Sequence, residues 1–251
     1  MSFVYRQQIP AKNTNTNDST SATASASLPS TAIAGNILIW TAYTNSGTSL
    51  AINGTGATKA YATDLIPNNT GNARFNMWWK VAAGTEKTYT LTVTGGTPTG
   101  TRFHIYEFSR LATAVTPPTV ISATGAGTAL ATAAQTYHYY DEFFSFSSIG
   151  YTGTASTFTN TSGGLYTTDG NGMTATTESQ LADYWYIAQN TDINAQQMKV
   201  TRSLVSGGWA MGTLTFVSNP YSATIGVSLN NTGTYTIVGS SSGNYPTLGV
   251  G

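Results

Sequence analysis

The chain has no cysteine, only two histidines and very little charge. Asp, Glu, Lys and Arg make up 8 % of its 251 residues, against about 25 % in an average soluble protein. The lack of cysteine excludes a disulfide framework and any thiolate metal site. No stretch reaches the roughly 18 consecutive apolar residues that mark a membrane-spanning helix. Residues 1–6 have no apolar run behind a basic start, so no signal peptide is expected. Amphipathic helical periodicity is absent as well, and alternating strands, turns and loops follow one another throughout.

In place of charge the chain carries Thr, Ser, Asn, Gly and Ala. Its solubility therefore rests on hydroxyls and amides. Such a surface costs little to desolvate, which suits a protein packed against neighbours and equally suits an extracellular coat. The ten basic and ten acidic residues cancel but are unevenly placed. Eight basic residues stand against four acidic ones before residue 126, a balance of +4, and two against six after it, a balance of −4. Opposite poles would favour head-to-tail docking or two different partners, although charges this sparse also scatter unevenly by chance.

The internal organisation shows in a repeat. Phe75-Asn76-Met77-Trp78-Trp79-Lys80-Val81 matches Leu181-Ala182-Asp183-Tyr184-Trp185-Tyr186-Ile187, 106 positions on (185 minus 79). The same offset lays Gly35-Asn36-Ile37-Leu38-Ile39-Trp40 over Asp141-Glu142-Phe143-Phe144-Ser145-Phe146. A shared offset over that length indicates a duplicated unit, and its size matches the roughly 100 residues of an immunoglobulin-like sandwich. In the second copy Phe144 and Phe146 alternate with serines, so by equivalence Leu38 and Trp40 are expected to face a core with them. Phe75, Met77, Trp79 and Val81 share one strand face, which makes Trp79 and Trp185 core anchors. The opposite face carries Trp78 in one copy and Tyr184 and Tyr186 in the other. Those rings form a candidate contact surface, and the plainer alternative, which the pattern favours, is a strand buried on both faces.

The expected architecture is all-β: two tandem antiparallel β-sandwich domains, immunoglobulin-like or jelly-roll, with a short N-terminal arm and a C-terminal extension. Residues 1–19 form the arm and a low-complexity linker, with Phe3, Val4, Tyr5 and Ile9 apolar enough to anchor on another surface. Residues 20–113 form the first sandwich, opened by a weak edge strand at 21–28. Residues 114–119, with Pro117-Pro118, form a stiff connector, and residues 120–218 form the second sandwich. Residues 219–251 carry no charge and are expected to form a hairpin around Asn230-Asn231-Thr232-Gly233; a neutral extension of this kind suits pairing with another chain's edge, unless it is only a frayed tail.

Chemistry has little to work with. His104 and His138 lack metal-ligand spacing and read as structural residues in strands. Asp169-Gly170-Asn171-Gly172 with Glu178 lacks the full alternation of a calcium loop. Asp141-Glu142, or Glu178 with Asp183, are the only nominees for a glycosidase pair, and neighbours on a strand face opposite ways. No Gly-x-Ser-x-Gly elbow, phosphate-binding loop or basic stripe for nucleic acid is present. No cofactor, metal or catalytic residue is expected.

The run at 35–40, the Gly/Asn-rich middle, Trp78-Trp79-Lys80-Val81-Ala82-Ala83-Gly84-Thr85, the alternating Thr strand and Arg102-Phe103-His104-Ile105-Tyr106-Glu107-Phe108-Ser109 together resemble a β-sandwich module of tailed-bacteriophage structural proteins. The second copy resembles it more loosely. The resemblance spans about residues 20–217 as a pattern rather than a diagnostic motif, and supplies no catalytic residues. It implies a non-enzymatic virion protein: a capsid decoration or cementing protein, a head fibre, or a tail-associated protein. The expected partners are a major capsid protein or other virion protein and further copies of the chain, without nucleic acid or membrane. The alternative is a receptor- or glycan-binding tail component that stacks a host-surface glycan on Trp78, Tyr184 or Tyr186, and a glycoside hydrolase comes third.

Overall fold

The run Ile37-Leu38-Ile39-Trp40 is apolar at every position, and a strand of that kind must be covered on both sides. In the computed structural model it is. The structure describes residues 4–8, 22–53, 56–67, 71–98, 100–109, 117–137, 142–152, 158–160, 181–188, 193–196, 199–203 and 207–218. Among them every regular element is a strand.

The largest sheet, sheet A, has the order β1 (Val4–Gln8), β8 (Thr101–Ser109), β3 (Ile37–Thr44), β6 (Arg74–Val81), β5 (Thr58–Lys59). Sheet B is β2 (Thr23–Ser27), β7 (Thr88–Thr94), β4 (Ser49–Ile52). The second half supplies sheet C, in the order β14 (Leu181–Ala188), β12 (Glu142–Tyr151), β17 (Gly208–Ser218), β9 (Thr119–Ala126). It also supplies sheet D, in the order β10 (Ala129–Ala131), β16 (Lys199–Arg202), β13 (Phe158–Asn160), and a small pair, β11 (Gln135–Tyr137) with β15 (Ile193–Gln196). The series β8-β3-β6 in sheet A recurs as β17-β12-β14 in sheet C, with every pairing antiparallel. The duplication in the sequence is therefore a duplication of strand order.

Side-chain alternation divides the two faces of sheet A between two cores. Leu38, Trp40, Trp78, Phe103 and Ile105 pack against Leu28, Leu50, Tyr89, Leu91 and Val93 of the sheet B side. Strand β7 alternates as its threonines foretell, with Tyr89, Leu91 and Val93 buried. The other face of sheet A, with Ile37, Ile39, Tyr43, Phe75, Met77, Tyr106 and Phe108, packs directly on Phe144, Phe146, Leu181, Ala210, Leu214 and Phe216 of sheet C. Ring contacts seal this second core: Phe108 to Phe144 at 4.4 Å and Tyr106 to Phe146 at 4.9 Å between centroids. The two halves thus share a core.

The facing of Phe144 and Phe146 differs from the expectation. They lie on the same core as Ile37 and Ile39, not as equivalents of Leu38 and Trp40. The register explains it: Ile37 pairs with Phe108 and Phe144 with Phe216, so the equivalent of Ile37 is Phe144, an offset of 107 (144 minus 37). One residue of slip exchanges the two faces of a strand. Glycine makes the close approach of the sheets feasible. A Cβ on Gly150 would meet Phe75 at 2.8 Å and Tyr43 at 2.9 Å, and one on Gly212 would meet the Tyr61 hydroxyl at 2.5 Å.

The arm strand β1 seats on β8 of its own chain, with Val4 opposite Ser109. Strand β9 takes the corresponding place beside β17. Residues Phe3 and Ile9, His138, the extension 219–251 and the loop at 169–172 lie outside the described residues.

Candidate functional site

Two buried polar clusters stand out among the described residues. The first lies between sheets A and C. Period-two alternation places Thr41 on β3 and His104 and Tyr106 on β8 toward sheet C, and Asp183 on β14 toward sheet A. Nδ1 of His104 lies 2.5 Å from Asp183 Oδ2, the Tyr106 hydroxyl donates to the same oxygen at 2.5 Å, and Thr41 donates to it at 3.4 Å. Asp183 and His104 are 2 % and 5 % exposed. Asp183 Oδ1 and the hydroxyl of Ser148, its cross-strand partner, find no hydrogen-bond partner among the described residues. An acid, an imidazole and a phenol can exchange protons, and here all three are enclosed between the two sheets. Their geometry fastens one half of the chain to the other.

Tyr61 adds a second fastening. Its hydroxyl donates to the Ile121 carbonyl at 2.6 Å and accepts the Thr213 N–H at 3.1 Å, so a first-half side chain bridges β9 and β17. Burial pushes the Tyr61 hydroxyl well above the ordinary phenol range, with the Thr213 N–H pulling weakly the other way.

The second cluster sits where β5 and β6 meet β4. Asp64 is bound by Lys59, Asn76 and the Leu50 N–H. Its neighbour in the sequence, the turn after β6, is organised by Glu86, which accepts from the N–H groups of Ala83, Gly84 and Thr85 and pairs with Lys80 at 2.7 Å. Burial raises the Glu86 carboxyl, but the Lys80 ammonium and these N–H groups outweigh it and hold it at about 2.

The sequence-chosen residues fall in unexpected places. Trp78, proposed as part of an exposed contact surface, is 3 % exposed and packed in the core with sheet B. Trp79, chosen as a core anchor, is only half-buried at the rim of the central core, edge-on to Phe216 at 5.7 Å. The reversal follows from sheet A having two covered faces, so that both rings of the pair are enclosed to different degrees. Leu38 and Trp40 are fully buried, in the core with sheet B. Tyr184, Trp185 and Tyr186 lie on β14, where Trp185 pairs with Phe146, and their side chains lie outside the described residues. Of the glycosidase nominees, Asp183 is sealed in the interior, while Asp141 and Glu178 lie outside the described residues. Asp183 was legible as a charge on an otherwise apolar strand face, but its partner His104 is 79 residues away and no local signal joins them.

Among the described residues no group of three His, Asp or Glu side chains is placed to hold a metal ion, and no helix is long and apolar enough to cross a membrane. No protein-family model matches the chain, and no curated protein matches it. Among solved structures it is similar to the STIV MCP, at 9 % identity and a TM-score of 0.29 over 87 % of this chain and 97 % of that one. It is similar also to a chain in the atomic structure of Sulfolobus Turreted Icosahedral Virus, at 10 % identity and a TM-score of 0.28 over 88 % and 92 %. Superpositions this loose carry no argument about fold or function.

Proposed function

We propose that the chain is a non-enzymatic structural protein of a virus particle, of the capsid decoration, cementing or head-fibre kind, working through its surfaces with a major capsid protein, another virion protein or further copies of itself. The observation that carries this reading is the fate of the reactive groups: Asp183, His104 and Tyr106 are buried and hydrogen-bonded to one another, tying two sheets together. What remains for partners is the exterior of a chain rich in hydroxyls and amides and with only 8 % charged residues overall, cheap to desolvate. The bacteriophage resemblance of the sequence supports the same reading. A glycan-binding tail component would have to do without Trp78, which is enclosed, and rely on Tyr184 and Tyr186.

A cryo-EM reconstruction of the native particle tests this. Ordered copies following the capsid lattice support decoration. Density confined to the tail tip or fibres transfers the protein to the receptor-binding reading, and absence of the chain from purified particles removes the virion role altogether.

A further inference from the structure

Three side chains of complementary reactivity meet on one oxygen atom at the edge of sheet A. Strand pairing sets Lys59 opposite Trp78, and Asn76 stands two residues along on the same face of β6, diagonally across from the lysine. Asp64 Oδ1 accepts from Lys59 Nζ at 2.7 Å and from Asn76 Nδ2 at 2.6 Å. The amine and the carboxamide therefore lie no farther apart than those two distances laid end to end. Asp64 Oδ2 is fixed by the Leu50 N–H at 2.6 Å. Asn76 Oδ1 accepts from the N–H of Met77 at 2.8 Å and of Tyr61 at 3.3 Å, while Nδ2 also donates to the Tyr61 carbonyl at 2.9 Å. Only one orientation of the carboxamide satisfies that set. Asn76 is 0 % exposed, and the lysine side chain is 30 % exposed with its ammonium 6.0 Å from the centre of the Trp78 ring.

We propose that Lys59 and Asn76 join in an intramolecular isopeptide bond, with Asp64 as general base and then general acid. Lys59 gives a proton to Asp64, and the neutral amine attacks Cγ of Asn76 to form a C–N bond. The negative charge gathers on Oδ1, where the Met77 and Tyr61 N–H groups already point. Asp64 hands its proton to Nδ2, the Cγ–Nδ2 bond breaks and ammonia leaves with the remaining amine proton. An amine and a primary amide become a secondary amide and ammonia, with no change of oxidation state and no cofactor. Holding nucleophile, base and electrophile together removes most of the entropic cost of such a step, and the near-exclusion of water around Asp64 and Asn76 disfavours the competing hydrolysis. The His104 cluster has an acid and a base but no electrophile; this one has every part. The bond would staple the short strand β5 to β6. It does not depend on where the protein works.

Intact mass spectrometry of the purified full chain decides the question. The expected mass is lower than the sequence mass by one ammonia, and peptide mapping is expected to yield a branched peptide joining Lys59 to Asn76. Lys59→Arg keeps the charge and is expected to restore the full sequence mass, as is Asp64→Asn. The full sequence mass in the unaltered chain overturns the proposal even if no variant folds. So does an ammonia loss without a branched peptide, because asparagine also loses ammonia by cyclising on its own backbone.

Discussion

Sheets A and C are built from the same strand series, yet they treat their two faces differently. Sheet A is apolar on both, with Leu38, Trp40 and Phe103 toward sheet B and Ile37, Ile39 and Phe108 toward sheet C. Sheet C turns an aromatic face, with Phe144, Phe146 and Phe216, toward sheet A. Its other face is mixed: Ile149, Tyr151, Met211 and Trp209 are buried there beside hydroxyls in cross-strand pairs, Ser145 with Thr215 at 3.2 Å and Ser147 with Thr213 at 2.7 Å. The contrast teaches that a copied strand order does not copy a core. What each face packs against is set by its side chains, and in this chain the first copy's central sheet became the middle layer.

The sharpest way to break the contrast is to empty the face the two sheets share. Phe146→Ala, which removes a ring packed on both Tyr106 and Phe108, is expected to cost about 3–5 kcal/mol, read as a lowered midpoint in denaturant unfolding. Loss of a single cooperative transition would show that the halves unfold separately once unseated. Unchanged stability would refute a shared core.

Overfilling the same face comes next. Gly212→Val introduces a Cβ against the Tyr61 hydroxyl at 2.5 Å and Met77 Sδ at 2.7 Å, and about 1–3 kcal/mol is expected to be lost. Pairing it with Tyr61→Phe in a double-mutant cycle should give a non-additive result, since the two sites touch; additivity would mean that Tyr61 does not sit over β17.

The hydroxyl pairs on the far face should respond less. Ser147→Ala breaks one neutral pair with Thr213 and is expected to cost roughly 0.5–1.5 kcal/mol, well below Phe146→Ala on the adjacent position of the same strand. Equal losses would erase the distinction between the faces.

A further effect is tied to pH and to the turn after β6. The Glu86 carboxyl is lowered from its ordinary 4.5 to about 2, so its contribution is fully present above pH 4.5 and is lost as pH falls through about 2. The Tm difference between the parent and Glu86→Gln should be constant near neutrality, shrink below pH 4.5 and vanish near 2. A difference independent of pH would dissociate Glu86 from Lys80 and the turn amides.

Much of this was legible in the residues. Alternation in Thr88-Tyr89-Thr90-Leu91-Thr92-Val93-Thr94 gives β7 its buried face, and the repeat foretells the recurrence of β8-β3-β6. The edge strand near residue 25 appears as β2, pinned to β7 by Ser25 with Thr90 and Ser27 with Thr88. Less legible was which face of β12 meets which core, because the offset read from Trp79 and Trp185 differs by one from the offset that aligns β3 with β12. The buried clusters were hidden for another reason. Lys59, Asp64 and Asn76 look like ordinary polar residues in a polar stretch, and only the folding of β5 against β6 brings them to one oxygen.

The sequence by itself determined an all-β chain with a duplicated strand series, because period-two alternation and a constant offset are local and need no partner to be read. Only the tertiary structure decided that the halves share a core, that Trp78 is enclosed while Trp79 sits at a rim, and that Asp183 meets His104. Those outcomes depend on which sheet covers which face, and a strand that is apolar on both sides does not say what will cover either.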